Sequence, residues 1–171
     1  MQLSKVDAAN RQLEEAICMH FERRDPVAVH TLASAASQVA ADLLKSKGAV
    51  SLFRSGLLIR EDRRAEVMRR FWEAENYFKH ADRDPDAKLD FSPSVPVHFV
   101  FAAAVDLESY AGTVSPTVRI FIAWYFKRYP EIIADSEEGL RVRKWTAALT
   151  IDPEDFEAWL RLIGEARHLA I

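Results

Sequence analysis

Three of the five histidines, His20, His30 and His80, share their stretches with groups that could work beside an imidazole. Glu22, Arg23, Arg24 and Asp25 lie between the first two; Asn76, Lys79, Asp82, Asp84 and Asp86 flank the third. An imidazole titrates near neutrality and can give or take a proton. Arginine, lysine and asparagine can hold an anion or steady charge that develops on one. Asn76 and His80 are four residues apart and share a helix face, with Glu73 one turn further back. These are the candidates for acid–base chemistry or for binding a small anionic ligand. Arg24, His30 and His80 stand as catalytic candidates, and Asn76, Lys79, Asp82 and Asp84 as ligand-binding ones.

Other chemistries have weaker footing. Asp82, Asp84 and Asp86 open a D-x-D-x-D run, but the EF-hand places for Gly and Glu hold Ala87 and Pro93. There is no H-E-x-x-H for zinc, no nucleophile elbow and no glycine-rich phosphate or dinucleotide loop, so no metal or cofactor is expected. The run RRAEVMRR (63–70) carries four arginines that could grip phosphates. Glu61, Asp62, Glu66 and Glu73 stand at helical spacing to neutralise them, and a solvated ion-pair face is expected there. The alternative for the histidine candidates is also structural. Helix ends collect polar residues, the aspartates of 82–86 suit turns and caps, and His20 and His30 would be hydrogen-bonded core residues of a non-enzymatic interaction protein.

The elements that must position these groups are helices. The central one is DPVAVHTLASAASQVAADLLKSKG (25–48): Asp25 to cap, Pro26 at the first helical position, Gly48 as a left-handed stop. Its alanines with Val29, Leu32, Val39, Leu43 and Leu44 leave only Ser34, Gln38, Asp42 and Lys45 as a wettable stripe, so it belongs inside a bundle. A first helix is expected over about residues 4–22 and a third over about 61–81, with Val67, Phe71, Ala74 and Phe78 inward. Residues 49–60 fit either a small hairpin about Arg54-Ser55-Gly56 or a loop packing Leu52, Phe53, Leu57 and Leu58 over a bundle end. Further helices are expected from Pro96 to about Gly112, from Ser115-Pro116, from a cap at Asp135 or Ser136 and from Asp152-Pro153. An up-down-up order of the first three gathers His20, His30 and His80 at one end.

Length and composition agree with one all-α domain of about six or seven helices. The 171 residues suffice for a core, and a net charge of −3 exerts no global pull on nucleic acid or anionic lipid. The single Cys18 precludes an internal disulfide and suits a reducing cytoplasm. The N-terminal stretch is charged and amphipathic, unlike a secretory signal, and the apolar run 95–105 is too short to span a bilayer. Several broadly apolar helices suggest a homodimer.

Three stretches, RDPVAVHTLASAASQV (24–39), ENYFKHADRDPDA (75–87) and SPTVRIFIAWYFKRYP (115–130), resemble signatures of a family of small, all-helical, uncharacterised bacterial proteins. That resemblance implies a fold and no activity. Arg24-Asp25 followed by His30 is similar, more loosely, to the motif of HEPN domains, helical bundles of which many are metal-independent ribonucleases. Asn76, Lys79 and His80 resemble a polar element of some HEPN-like families. The resemblance implies that Arg24 steadies a phosphate transition state, that His30 acts as general acid and base on RNA, and that the site forms across a homodimer.

Overall fold

The computed structural model describes residues 1–57, 61–80, 82 and 84–169. Among the described residues seven α-helices follow one another: α1 Lys5–Phe21, α2 Pro26–Ser46, α3 Glu61–Tyr77, α4 Val95–Ala111, α5 Pro116–Arg128, α6 Glu137–Ala147 and α7 Phe156–Leu169. A 3-10 turn, Pro130–Ile132, precedes α6, and no strand occurs among the described residues. Residues 52–57 are turns rather than a hairpin arm; the expectations for Leu58 and for Ala81 fall outside the described residues.

The helix starts follow local chemistry. Ser4 and Asp7 form a reciprocal capping box on α1. The Asp25 carboxylate accepts the Val27 N–H at 2.7 Å, and Pro26 takes the position where a missing N–H costs nothing. Gly48 follows α2 at φ +76°. Between α1 and α2 the chain turns with the Arg24 N–H donating to the Met19 carbonyl and the Arg23 N–H to that of His20. This is the left-handed helix stop that usually recruits glycine, yet Arg23 holds it at φ +54°.

α2 is the central helix. Val29, His30, Ala33, Ser34, Ala36, Ser37, Ala40 and Leu44 are all buried, and its main neighbours are α1 and α4. Its small residues let Ala9, Ala16, Ala103 and Ala104 of those neighbours approach closely. α2 has the length and apolarity to cross a membrane, but here α1 and α4 cover it.

Three expectations need correction. The start of α2 does lie near the end of α3, since the His30 and Phe78 rings are 5.5 Å apart. But α3 packs on α2 only lightly, and of its residues only Ala74 and Glu75 are buried. The full partner is α4, which runs parallel to α2: His30 meets Phe99 near the start of both, and the Lys47 ammonium donates to the Tyr110 carbonyl near their ends. Second, the stripe read as wettable is dry in its first half. Ser34 is buried and Gln38 is half-buried under the guanidinium of Arg54 from the 49–57 strap, while Asp42 and Lys45 are exposed. Third, α7 starts at Phe156, not at Asp152-Pro153. The carbonyls of Asp152 and Pro153 accept the buried indole N–H groups of Trp159 and Trp124, each at 2.9 Å. The Asp155 carboxylate, three residues later, accepts the Ala158 N–H.

Candidate functional site

The last turns of α3 and the segment that follows fold against each other. His80 and Lys79 donate their backbone N–H groups to the Asn76 carbonyl, so the chain closes tightly after α3. The Tyr77 hydroxyl then reaches across to donate to the Ala87 carbonyl at 2.8 Å. Between helix and returning segment lies a cavity of about 320 Å³ lined by Glu73, Asn76, Tyr77, His80, Asp84 and Lys88, with Ala87 and Leu89. Three sequence candidates, Asn76, His80 and Asp84, therefore meet at one place. Lys88 and Tyr77 join them without having been singled out by spacing. The lining mixes signs: Lys88 against Glu73 and Asp84, with the amide and imidazole between.

The other candidates lie elsewhere. The Lys79 ammonium is drawn away to the Glu75 carboxylate at 2.7 Å. Asp82 is exposed and does not line the cavity. His30 is wholly buried, boxed by the ring edges of Phe78, Phe91 and Phe99. Neither of its ring nitrogens has a hydrogen-bond partner among the described residues. Burial lowers its pKa to about 4, with Glu75 opposing and Lys79 adding to the effect, so the ring is neutral near pH 7. Arg24 is 65% exposed and 3.9 Å from Glu22. It lines a separate cavity of about 210 Å³ with Arg23 and His20, where Phe156, Pro26 and Pro96 complete the wall. The structure thus brings His20, rather than His30, to Arg24. His20 sits against Phe21, Trp124 and Phe156, and burial lowers its pKa to about 4 as well. The hydrogen bonds expected for His20 and His30 as core residues are missing at the His20 Nε2 and at both His30 nitrogens.

A polar cluster that spacing alone did not single out lies under α3. Arg54 projects from the strap into the interior, where its guanidinium donates to Ser37, Gln38 and the Glu75 carboxylate and stacks 4.4 Å from the Trp72 ring centre. Asp106 of α4 is buried nearby; burial pushes its carboxyl pKa up, and the Ser51 hydroxyl and the Arg54 charge only partly oppose this. Two signals were present. Glu75 is four residues after Phe71 and three before Phe78, on the inward face, and Asp106 interrupts an otherwise apolar helix. Arg54 sits in a turn, where no periodicity reports orientation. Among the described residues no three His, Cys, Asp or Glu side chains are placed to share a metal ion.

Compared with known protein families, with characterised proteins and with solved structures, the chain matches none.

Proposed function

We propose that this chain is a small-molecule-binding helical bundle whose site is the cavity at the end of α3. The carrying observation is the convergence of Asn76, His80 and Asp84 on one cavity, clamped by the Tyr77–Ala87 hydrogen bond. Its volume of about 320 Å³ suits a ligand at the small end of the usual range. Lys88, His80 and Asn76 supply donors for an acidic group, while Asp84 and the Glu73 oxygen that Arg69 does not hold supply acceptors for an amino or hydroxyl group. A small amino acid or hydroxy acid fits this lining better than a bare anion does. The test is a titration of isotope-labelled protein with a panel of such acids, followed by amide NMR shifts. Shifts centred on Asn76, His80 and Lys88 that vanish in His80→Ala support the reading; no shift from any panel member at millimolar concentration overturns it. The binder reading keeps the cytoplasmic setting suited to Cys18. It also keeps the homodimer, for which Leu52 and Leu57 of the strap are exposed.

One observation favours a second reading, HEPN-like action on RNA: an arginine and a histidine do share a cavity. On this reading Arg24 and Arg23 hold the phosphate and His20 replaces His30 as the acid–base group. Cleavage of single-stranded RNA that resists EDTA and is lost in His20→Ala and Arg24→Ala would favour it over the binder. An inactive wild type would leave the RNA reading without support.

A further inference from the structure

A third opening, larger than those at the end of α3 and at Arg24, lies elsewhere. It is a groove of about 520 Å³ between the C-terminal half of α2, the strap and Trp72 of α3. One wall is flat and fixed. The Arg54 guanidinium, its side chain only 8% exposed, is held by Ser37, Gln38 and Glu75 and lies over the Trp72 indole. A wall already rigid before a ligand arrives loses little freedom when one binds. Glu75 neutralises Arg54 from behind, so among the described lining residues the available positive charge comes from Lys45. Lys45 also lines the groove, is exposed, and pairs with no carboxylate among the described residues. Asp42 is the one carboxylate among the described lining residues, and it accepts from the Gln38 amide at 3.0 Å. Val50, 61% exposed, adds an apolar surface.

We infer that this groove binds a small aromatic carboxylate, its ring against the Arg54–Trp72 stack and Val50 and its carboxylate on the Lys45 ammonium. A flat aromatic wall favours a planar ring, and an ammonium with no competing partner favours an anionic group over a neutral one. The site is independent of the cavity at the end of α3.

The test uses anthranilate, whose fluorescence reports binding, on the full chain. Saturable binding is expected, with NMR shifts at Lys45, Ser51 and the Trp72 indole. Lys45→Gln should weaken it about tenfold, the usual weight of one charge-assisted hydrogen bond. Lys45→Arg should keep most of it. Lys45 is exposed and unpaired, so its replacement does not threaten the fold. Trp72→Leu should weaken binding to a similar degree, and Lys5→Gln, on α1, should leave it unchanged. No saturation up to about 10 mM overturns the inference. So does binding that Lys45→Gln and Trp72→Leu both leave intact.

Discussion

Arg54 and Glu75 face each other across 3.0 Å in the interior, with side chains 8% and 7% exposed. The Glu75 carboxylate is engaged on both oxygens, by Arg54 on one and by Lys79 on the other. Apart from Ala74, no other α3 residue is buried to this degree, so this ion pair joins the Phe71 ring contacts with Phe53 and Phe99 in fixing α3 and the strap to the bundle.

Removing one member of a buried pair leaves an uncompensated charge. Glu75→Leu should therefore destabilise the protein by about 3–5 kcal/mol in urea denaturation. The double variant Arg54→Met with Glu75→Leu should recover most of that loss, because the desolvation cost goes with the charges. A single variant costing less than about 1 kcal/mol, the size of an exposed pair, would mean that α3 is held by other contacts.

Acid should unfold the protein through its buried histidines. The unfolded His30 takes a proton near pH 6.5, whereas the folded one resists until about pH 4. Between those values the unfolded state binds more protons, so stability is full above pH 6.5 and falls as pH drops towards 4. His30 accounts for about 3 kcal/mol of this, since each tenfold loss of proton affinity on folding is worth about 1.4 kcal/mol. His20 and His98, whose pKa values burial also lowers, act in the same direction. Asp106 acts oppositely, since its raised carboxyl pKa favours the folded state as protons are added. Urea midpoints from pH 7.5 to 4.5 should fall steeply for wild type and less so for His30→Leu. That variant should lose little stability at neutral pH, because it removes two buried nitrogens that have no partner. Parallel curves for the two proteins would exclude His30 as the sensor.

Gly139 lies in the first turn of α6, where an added methyl group would meet the Ala134 carbonyl oxygen at 1.9 Å. The obstacle is backbone, not a movable side chain. Gly139→Ala should cost about 2–3 kcal/mol and loosen the turn before α6. Hydrogen exchange over 130–147 should show it; unchanged protection there would rule out the close approach.

Arg23 occupies a left-handed conformation at φ +54°, at a cost of roughly 1–2 kcal/mol for a residue with a side chain. Its guanidinium lies 5.0 Å from the Phe156 ring centre, a contact worth about 0.5–1 kcal/mol at an exposed site. The backbone cost is the larger of the two, so Arg23→Gly should match or slightly exceed wild-type thermal stability. Arg23→Val should be clearly less stable, because a β-branched residue tolerates this conformation worst. A marked loss in Arg23→Gly would show instead that the ring contact outweighs the backbone cost.

Element by element, the fold was largely legible. Asp25, Pro26 and Gly48 marked the limits of α2, and the apolar spacing of Leu13, Ile17 and Phe21 marked the inner face of α1. What periodicity could not show was which helix covers which. Ser34 and Gln38 look solvated on a helical wheel because a wheel cannot know that Arg54, from a turn, will come to satisfy Gln38. The site was legible where it is local. Asn76 and His80 share a helix face, and Asp84 returns within a few residues. The distant juxtapositions, His20 with Arg24 across the turn and Trp72 with Lys45 across the groove, depend on how helices cross.

The parallel pairing of α2 with α4 also shapes the order of assembly. α1 and α2 are joined by a short turn and can pair early, whereas the Lys47–Tyr110 contact joins residues 63 positions apart. Closing so long a stretch of chain delays the pairing and raises the contact order above that of an up-down bundle. Until α4 docks, the alanine and serine face of α2 stands open in an α1–α2 hairpin. Folding should therefore be limited by docking of α4. Ala103→Gly, in the buried part of α4, should slow refolding in stopped-flow fluorescence, whereas Ala74→Gly, on the buried face of α3, should mainly speed unfolding.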